Sequence, residues 1–581
     1  MNKRAFVGFG LVAGLTLTLA WAGCKPVERT FGSGGGQATG TGGNGGHGGG
    51  SGTCKAGDMV DCYSGPDGTK DVGSCHGGKA LCGADGKPGT CENEVTPAAA
   101  PTCDATMDQN CDGTPDYCPL DLLWAKAYGV MGNSNFSPPS LGVDPQGNIL
   151  FAGYLNGQLD FGKNLTLFSS AGDADVFVAK IDPKGETVWA KKFGDSTGDQ
   201  YGKHAKVDAK GNVVVVGSYE GGLDGLGIGV SPSAGGTDAF VVKLDPTGAP
   251  MWARVGGDTS YQSAESVVLT PGGDVIVAGT YSGTFNFLGG TTFANTAGGG
   301  DVIFIQRFDK DGNAVWSKSL GNDATLGYSD QEIYTMAVDV NGDIIVTGFF
   351  TNTISFPNQQ SYTSAGGEDI FVMKLRGSDG QVLWVRTFGG MNDDQNYGVV
   401  TDAQGSIFLA GAFDGSLTIG STTVMPQAGQ KRGLYLAKLT PAGQPAWVKS
   451  FGSGENVAGM FVETDQDNNL LLVGGFDGTV DFGGGPIQAN TMKGSYGGAG
   501  FLAKLDSNGN HLASRGFSPI PPQMDGGSQQ FPSLVITYRV ASTPGTNEIV
   551  TAGLAFGEFD LGGGVIGKPI TGSPFLGKFH P

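Results

Sequence analysis

Seven short, almost wholly apolar runs punctuate the chain: GNILFAG (147–153), GNVVVVG (211–217), GDVIVAG (273–279), GDIIVTG (342–348), GSIFLAG (405–411), NNLLLVG (468–474) and NEIVTAG (547–553). Each follows a polar turn and lacks the alternation of a half-exposed strand, so it reads as a strand covered on both faces. A shorter segment follows, clearest as LDFG (159–162), FNFLG (285–289), LTIG (417–420), VDFG (480–483) and FDLG (559–562), with LGIG and ISF as poorer copies. The third element is a hairpin: FVAKIDPKGETVWAKKFG (177–194), repeated at 305–321, 371–389, 436–452 and 501–517, and as LDPTGAPMWARVGG at 244–257. One strand of the hairpin ends in a turn of the Asp-Pro-x-Gly kind, and the next carries a Trp.

The repeat Trp residues are Trp124, Trp189, Trp252, Trp316, Trp384 and Trp447, with Ala513 in the next slot, 63 to 68 residues apart. That unit is too long for one hairpin and suits four short strands with turns. No stretch of the repeat region sustains a 3.6-residue period, so helix is expected to be minimal. Four strands repeated seven times predict an all-β, seven-bladed β-propeller over residues 121–581. With each blade taken as GN-strand, DFG-strand, FVAKLD-strand and W-strand, the last blade lacks its outermost strand. WAKAYG (124–129) can supply it beside FLGKF (575–579), closing the ring and removing a free edge.

The N-terminal part differs in kind. Lys3 and Arg4 precede an apolar run that ends at Trp21-Ala22-Gly23-Cys24, so residues 1–24 read as an export signal. The ending resembles the bacterial lipobox, with Trp21 where Leu is usual, and implies lipidation of Cys24; the alternative is a secretory signal with an incidental Cys. Lys25 after that Cys, by the same resemblance, implies outer-membrane sorting. Residues 25–53, rich in Gly, have nothing to bury and form a disordered tether. The segment 54–120 then holds eight of the nine cysteines: Cys54, Cys62, Cys75, Cys82, Cys91, Cys103, Cys111 and Cys118. An even count behind an export signal predicts a disulfide-stapled module of open connectivity. Within it, Asp108, Asn110 and Asp112 stand at positions 1, 3 and 5 of a loop with Gly113 at position 6 and Asp116 at position 9, which resembles the start of a calcium loop. Position 12 is Pro119, so the competing reading is an Asx-rich turn; any calcium here has a structural role.

The motifs G-N-x-x-V-x-G, D-x-F-V-x-K-L-D and G-x-x-x-W-x-K-x-F-G resemble the seven-bladed beta-propeller repeat (SBBP) family of exported bacterial lipoproteins, from Leu123 to the C-terminus. The Cys-rich module resembles those of myxobacterial surface proteins. That resemblance implies a fold and a cell-envelope address, an outer-membrane lipoprotein facing the surface or the periplasm, and no common catalytic residues. D-P-T-G-x-x-x-W is also similar to the Trp-docking motif of quinoprotein dehydrogenases, where the Trp strand is outermost. Those enzymes usually have eight blades and many carry a vicinal Cys pair, whereas the repeat region here has no Cys.

Composition narrows the partners. A formal charge of −20 with 105 glycines argues against nucleic acid, whose phosphates require a basic face. The few histidines of the repeat region, His204, His511 and His580, sit in non-equivalent positions, so neither a His metal cluster nor a catalytic triad is expected, and no catalytic residue is assigned. Basic residues recur two positions after each Trp slot (Lys126, Lys191, Arg254, Lys318, Arg386, Lys449, Arg515) and near each FVAKLD end (Lys180, Lys243, Arg307, Lys374, Lys438, Lys504, Lys578). They either pair with carboxylates and cover aromatic surface, or form a ring of sites for acidic polysaccharide. The sequence therefore points to a membrane-anchored binding or scaffolding module for a surface protein or polysaccharide, with a quinoprotein-like or other propeller enzyme as the alternative.

Overall fold

The computed structural model describes residues 54–98 and 107–581, apart from 112, 114–115, 137–139, 171, 228, 230–231, 288–289, 296–299, 322–329, 357–359, 427–431, 455–457, 490–497, 521–533 and 567–571. The export signal with Cys24 and the Gly-rich stretch lie outside the described residues. The chain divides into two compact units, Met1–Cys118 and Pro119–Pro581.

In the first unit a two-stranded ladder joins Met59–Cys62 to Gly78–Leu81. So short a hairpin cannot fold on burial alone. Three disulfides staple it: Cys54–Cys82, Cys62–Cys91 and Cys75–Cys111. Cys103 lies outside the described residues.

The second unit is a β-propeller. Among the described residues, seven sheets contain an antiparallel run of four strands. In the second of them these are Gln200–Val207, Val213–Tyr219, Asp238–Leu244 and Pro250–Gly256. The first strands of all seven (Ser140–Val143, Gln200–Val207, Gln262–Leu269, Gln331–Val338, Asp394–Thr401, Ala458–Thr464 and Leu534–Ser542) neighbour one another in chain order, and the last returns to the first. The expected closure is present: Leu122–Ala127 is the outermost strand of the last blade, with Trp124 opposite Lys578 and Ala127 opposite Phe575.

The content of each blade differs from the expected order in one strand. The DFG-like segments are not among the four ladder strands, although Leu159 and Asp160 extend the first blade's second strand and Thr479, beside VDFG, pairs with Ser453. Most form small hairpins in the connection between second and third strands, such as Gly283–Phe285 with Phe293–Asn295 and Leu417–Ile419 with Thr422–Val424. Their apolar side chains, Phe285, Phe287, Leu417 and Ile419 among them, are buried in the cores between blades. The strand that replaces them is the innermost one, which precedes each GN turn. A register shift interrupts it in six blades, between Gly202 and His204 in the second and between Ile333 and Thr335 in the fourth. Such a bulge breaks the period-2 pattern that makes a strand visible in sequence.

The recurrent hairpin motif has a mechanical meaning. Each Trp lies over the turn of the next blade, where a Cβ on Gly312 would stand 2.7 Å from the Trp252 ring and one on Gly185 3.1 Å from that of Trp124. The indole N–H of Trp124, Trp189, Trp252 and Trp316 donates to a carbonyl of that turn: Pro183 (3.0 Å), Pro246 (3.1 Å), Lys310 (3.1 Å) and Gly377 (2.9 Å). The turns need a residue at positive φ, +83° at Gly312, and the absent side chain leaves room for the indole. Below the Trp layer the second strands are buried throughout, as in Val213–Tyr219 and Val275–Tyr281.

Candidate functional site at the channel mouth

The innermost strands place a set of partly buried side chains around the propeller axis. Burial alternates along their first residues, with Gln200, Gly202, Gln331 and Ile333 buried and Tyr201, Lys203, Glu332 and Tyr334 partly exposed. The exposed set meets across blades. Tyr154 and Tyr201 pack edge-to-face at 4.8 Å, Tyr334 lies 5.3 Å from Tyr397, and Tyr397 lies 6.1 Å from Phe461. Lys203 Nζ approaches Glu265 Oε2 at 3.7 Å. Arg432 donates to Gln395 Oε1 at 2.6 Å, and Gln395 donates to Glu368 at 2.5 Å. Tyr201 donates to Asp199 at 2.7 Å.

The electrostatics are uneven along the axis. Burial, reinforced by Glu265, pushes the Glu332 carboxyl up to about 8, so it keeps its proton at neutral pH. Burial works against the Lys203 ammonium, but Glu265, Tyr261 and Glu332 outweigh it and raise its pKa. Farther along the strands the surroundings turn basic. Lys206 faces Glu463, two strands that are not neighbours in the ring, at 3.9 Å, and Arg539 stacks on Phe461 at 4.0 Å. Burial holds the Arg539 guanidinium down at about 10. His204 is partly buried, and desolvation, with Lys206 and Arg539 nearby, holds its pKa well below the usual value; its Nδ1 accepts from the Val267 amide at 3.2 Å. The result is an aromatic, carboxylate-rich mouth above a basic constriction.

None of these groups was singled out from sequence except His204; the bulged strand hid them. The signal that could have found them is that Tyr201, Ser263, Glu332 and Gln395 occupy one repeat slot and differ, while the Trp and hairpin slots hold nearly constant.

The repeated basic residues are used by the scaffold. Near the end of each third strand, a Lys or Arg pairs with an acid at the turn after the first strand: Lys180–Asp144 (2.9 Å), Lys243–Asp208 (3.4 Å), Arg307–Asp274 (2.6 Å), Lys374–Asp339 (2.6 Å), Lys438–Asp402 (3.7 Å), Lys504–Asp465 (3.1 Å) and Lys578–Glu548 (2.7 Å). The residues after the Trp slots reach the next turn, as Lys191 does to Gly248 (2.7 Å), or stack on their own Trp, as Arg254 and Arg386 do.

In the Cys-rich unit, Asp108 Oδ2 accepts the Gly113 amide at 2.9 Å, and Asp116 Oδ2 accepts the Gln109 amide. Asp116 is 6% exposed and its Oδ1 has no partner, while Asp112 lies outside the described residues. Asn110 stands between them in the same turn. Among the described residues, no three His, Cys, Asp or Glu side chains are grouped to hold a metal ion.

No known family's sequence model matches the chain. It is 22% identical over 478 residues to an uncharacterized WD repeat-containing protein, L264, of Acanthamoeba polyphaga mimivirus, covering 67% of this chain and 34% of that protein. It is 25% identical over 346 residues to the regulatory protein FlaEY of Caulobacter vibrioides, covering 54% and 34%. The chain thus spans about a third of the length of these curated relatives. Among solved structures it is similar to the Dos1 propeller (7% identity, 78% of this chain and 95% of that one, TM-score 0.36) and to a quinohemoprotein alcohol dehydrogenase of Pseudomonas putida HK5 (11%, 79% and 76%, TM-score 0.34).

Proposed function

We propose that this protein is an exported, lipid-anchored envelope protein whose propeller is a binding module, with a surface polysaccharide or protein captured at the channel mouth. The observation that carries this reading is the confinement of variation. Repeat slots that build the ring keep their Trp and ion pairs, whereas the slots at the mouth diverge into Tyr201, Lys203, Glu265, Glu332, Tyr334 and Tyr397. Ring faces stack on the C–H faces of sugars or on apolar side chains, while carboxylates, amide and ammonium supply directional hydrogen bonds. Cys24 supplies the anchor, residues 25–53 the reach, and the stapled module a stiff base with a structural calcium at Asp108, Asn110, Asp112 and Asp116, for which the partnerless Asp116 Oδ1 is a free ligand.

A glycan array and a pull-down from surface extracts, both with the full chain, test this. Capture that is lost in Tyr334→Ala and Tyr397→Ala supports the mouth as the site; capture that survives both refutes it. The protonated Glu332 beside Lys203 favours a second reading, a propeller enzyme using that carboxyl as a general acid. It requires turnover of the captured ligand that Glu332→Gln abolishes.

A further inference from the structure

A second set of buried oxygens, adjoining the mouth residues along the same strands, repeats between blades. The residue that opens the first strand is Gln200, Gln262 and Gln331 in the second, third and fourth blades. Beside it stands the Asp that opens the third strand of the preceding blade, Asp175 for Gln200 and Asp238 for Gln262. A Cβ on the intervening Gly194 would collide with both Asp175 Oδ1 and Gln200 Oε1, and one on Gly257 with Asp238 Oδ1 and Gln262 Oε1. The glutamine amide caps the carbonyl just past the second strand: Gln200 Nε2 donates to Glu220 O at 2.8 Å, Gln262 Nε2 to Ser282 O at 2.8 Å.

Between the fourth and fifth blades this pattern changes. Asp394 takes the glutamine slot, so the donor facing the equivalent carbonyl, Asp414 O, becomes a carboxylate. Its neighbour is Asp369, the opening residue of the fourth blade's third strand. Asp394 is 0% and Asp369 4% exposed. Each spends Oδ2 on one backbone amide, Gly390 at 2.6 Å and Ala365 at 2.9 Å, and each leaves Oδ1 with no partner. In the first blade a cation answers the equivalent Asp, Lys192 Nζ lying 2.8 Å from Asp175 Oδ2, but the residue in the Lys192 slot here is Thr387. The charges nearby aggravate the deficit. Asp393 and Asp414 push the Asp394 carboxyl upward along with Asp369, and Arg432 is held by Asp414, Gln395 and Tyr397.

Two buried carboxylates with orphaned oxygens, beside the Asp414 carbonyl, which accepts from Asn392 Nδ2 at a long 3.4 Å, form an all-oxygen set. Hard divalent cations take carboxylates, carbonyls and water in such sets, and do not need a third side-chain acid. We propose that Asp369 and Asp394 hold one such cation, of calcium type, pinning the fourth blade to the fifth. The inference is independent of what the mouth binds. The competing state is a proton shared by the pair, consistent with burial raising Asp369 to about 6 and Asp394 to about 8.

Calorimetric titration of the full chain with calcium at neutral pH, wild type against Asp394→Gln, separates the two. Asp394→Gln installs the residue that the second, third and fourth blades carry in this slot, with the carbonyl bond of Gln200 and Gln262 as its model, so it should fold. It should bind one calcium fewer than wild type and melt independently of this ion, while the N-terminal loop contributes equally to both. Native mass spectrometry of Asp108→Asn, which removes the loop's first ligand, reads the same site without touching it: one retained calcium supports the proposal. Equal stoichiometry in wild type and Asp394→Gln, or no ion on Asp108→Asn, would overturn it in favour of the shared proton.

Discussion

Trp252 is the most revealing place to disturb the ring. Its indole is 7% exposed, stands over the turn glycine Gly312 of the next blade, packs 6.0 Å from Phe308, and donates to Lys310 O at 3.1 Å. Trp252→Ala removes the ring from a site whose floor is backbone and cannot collapse to fill it. Large-to-small changes of this kind cost about 3–5 kcal/mol. Of that, the hydrogen bond contributes roughly 1 kcal/mol, the Lys310 carbonyl keeping Lys243 Nζ as a second donor at 3.4 Å. Trp447 provides the internal control, because its Nε1 finds no partner. Trp252→Phe should therefore destabilise by about 1 kcal/mol more than Trp447→Phe, the rings being similarly placed. Urea unfolding followed by far-UV circular dichroism, with the unfolding slope held constant, reads all three. A cost for Trp252→Ala below about 1 kcal/mol, or equal costs for the two Phe variants, would refute docking as the force between blades.

Other outcomes follow from the same structure. Trp124→Ala should lower the melting temperature of the whole propeller by an amount like that for Trp189→Ala, because Trp124 clasps the two ends of the chain; near-native melting would mean the clasp carries no load. Glu332 has a folded-state pKa of about 8, above its ordinary value, so its contribution to stability is full at acid pH and is lost as pH rises through about 8. Glu332→Gln should flatten stability between pH 5 and 9, a range set by that shift, and an unchanged slope in thermal melts would count against the desolvated mouth. Cys24→Ser should move the protein from membrane to soluble fractions, and unchanged partition would sink the anchor. Non-reducing peptide mapping should find Cys103 joined to Cys118, the two cysteines of the 54–120 segment that lie outside the three pairs seen; free thiols at both would contradict it.

How much of this was legible beforehand depends on which physical force wrote each residue. Burial wrote the second strands, and runs such as VVVVG read directly as strands. Docking wrote the Trp slots and the turn glycines, so the period and a closing strand at WAKAYG (124–129) could be read from the repeat, and the structure sets that strand at Leu122–Ala127. The innermost strands were missed because their bulges break alternation and because residues such as Tyr201, Lys203 and Glu332 answer to the axis rather than to a core. The DFG-like segments misled for the opposite reason: Phe285 and Leu417 are as buried as strand residues, but they fill gaps between blades from a connection. The paired basic residues near the third-strand ends show that this regular charge pattern is structural, each basic group answering a turn acid and Lys374 answering two. The places where the repeat is broken, Glu332 at the mouth and Asp394 between blades, are where the ring buries carboxyl groups that its scaffold ion pairs do not answer.

The proposed binding role places the partner at the mouth formed by the first strands. Hydrogen–deuterium exchange of the full chain, with and without the ligand that it captures, tests this most directly. Slowed exchange at residues 200–204, 262–266, 331–335 and 394–398 together, with the Trp strands unchanged, is the predicted result. Protection confined to the outer strands, or to the Cys-rich unit, would contradict it.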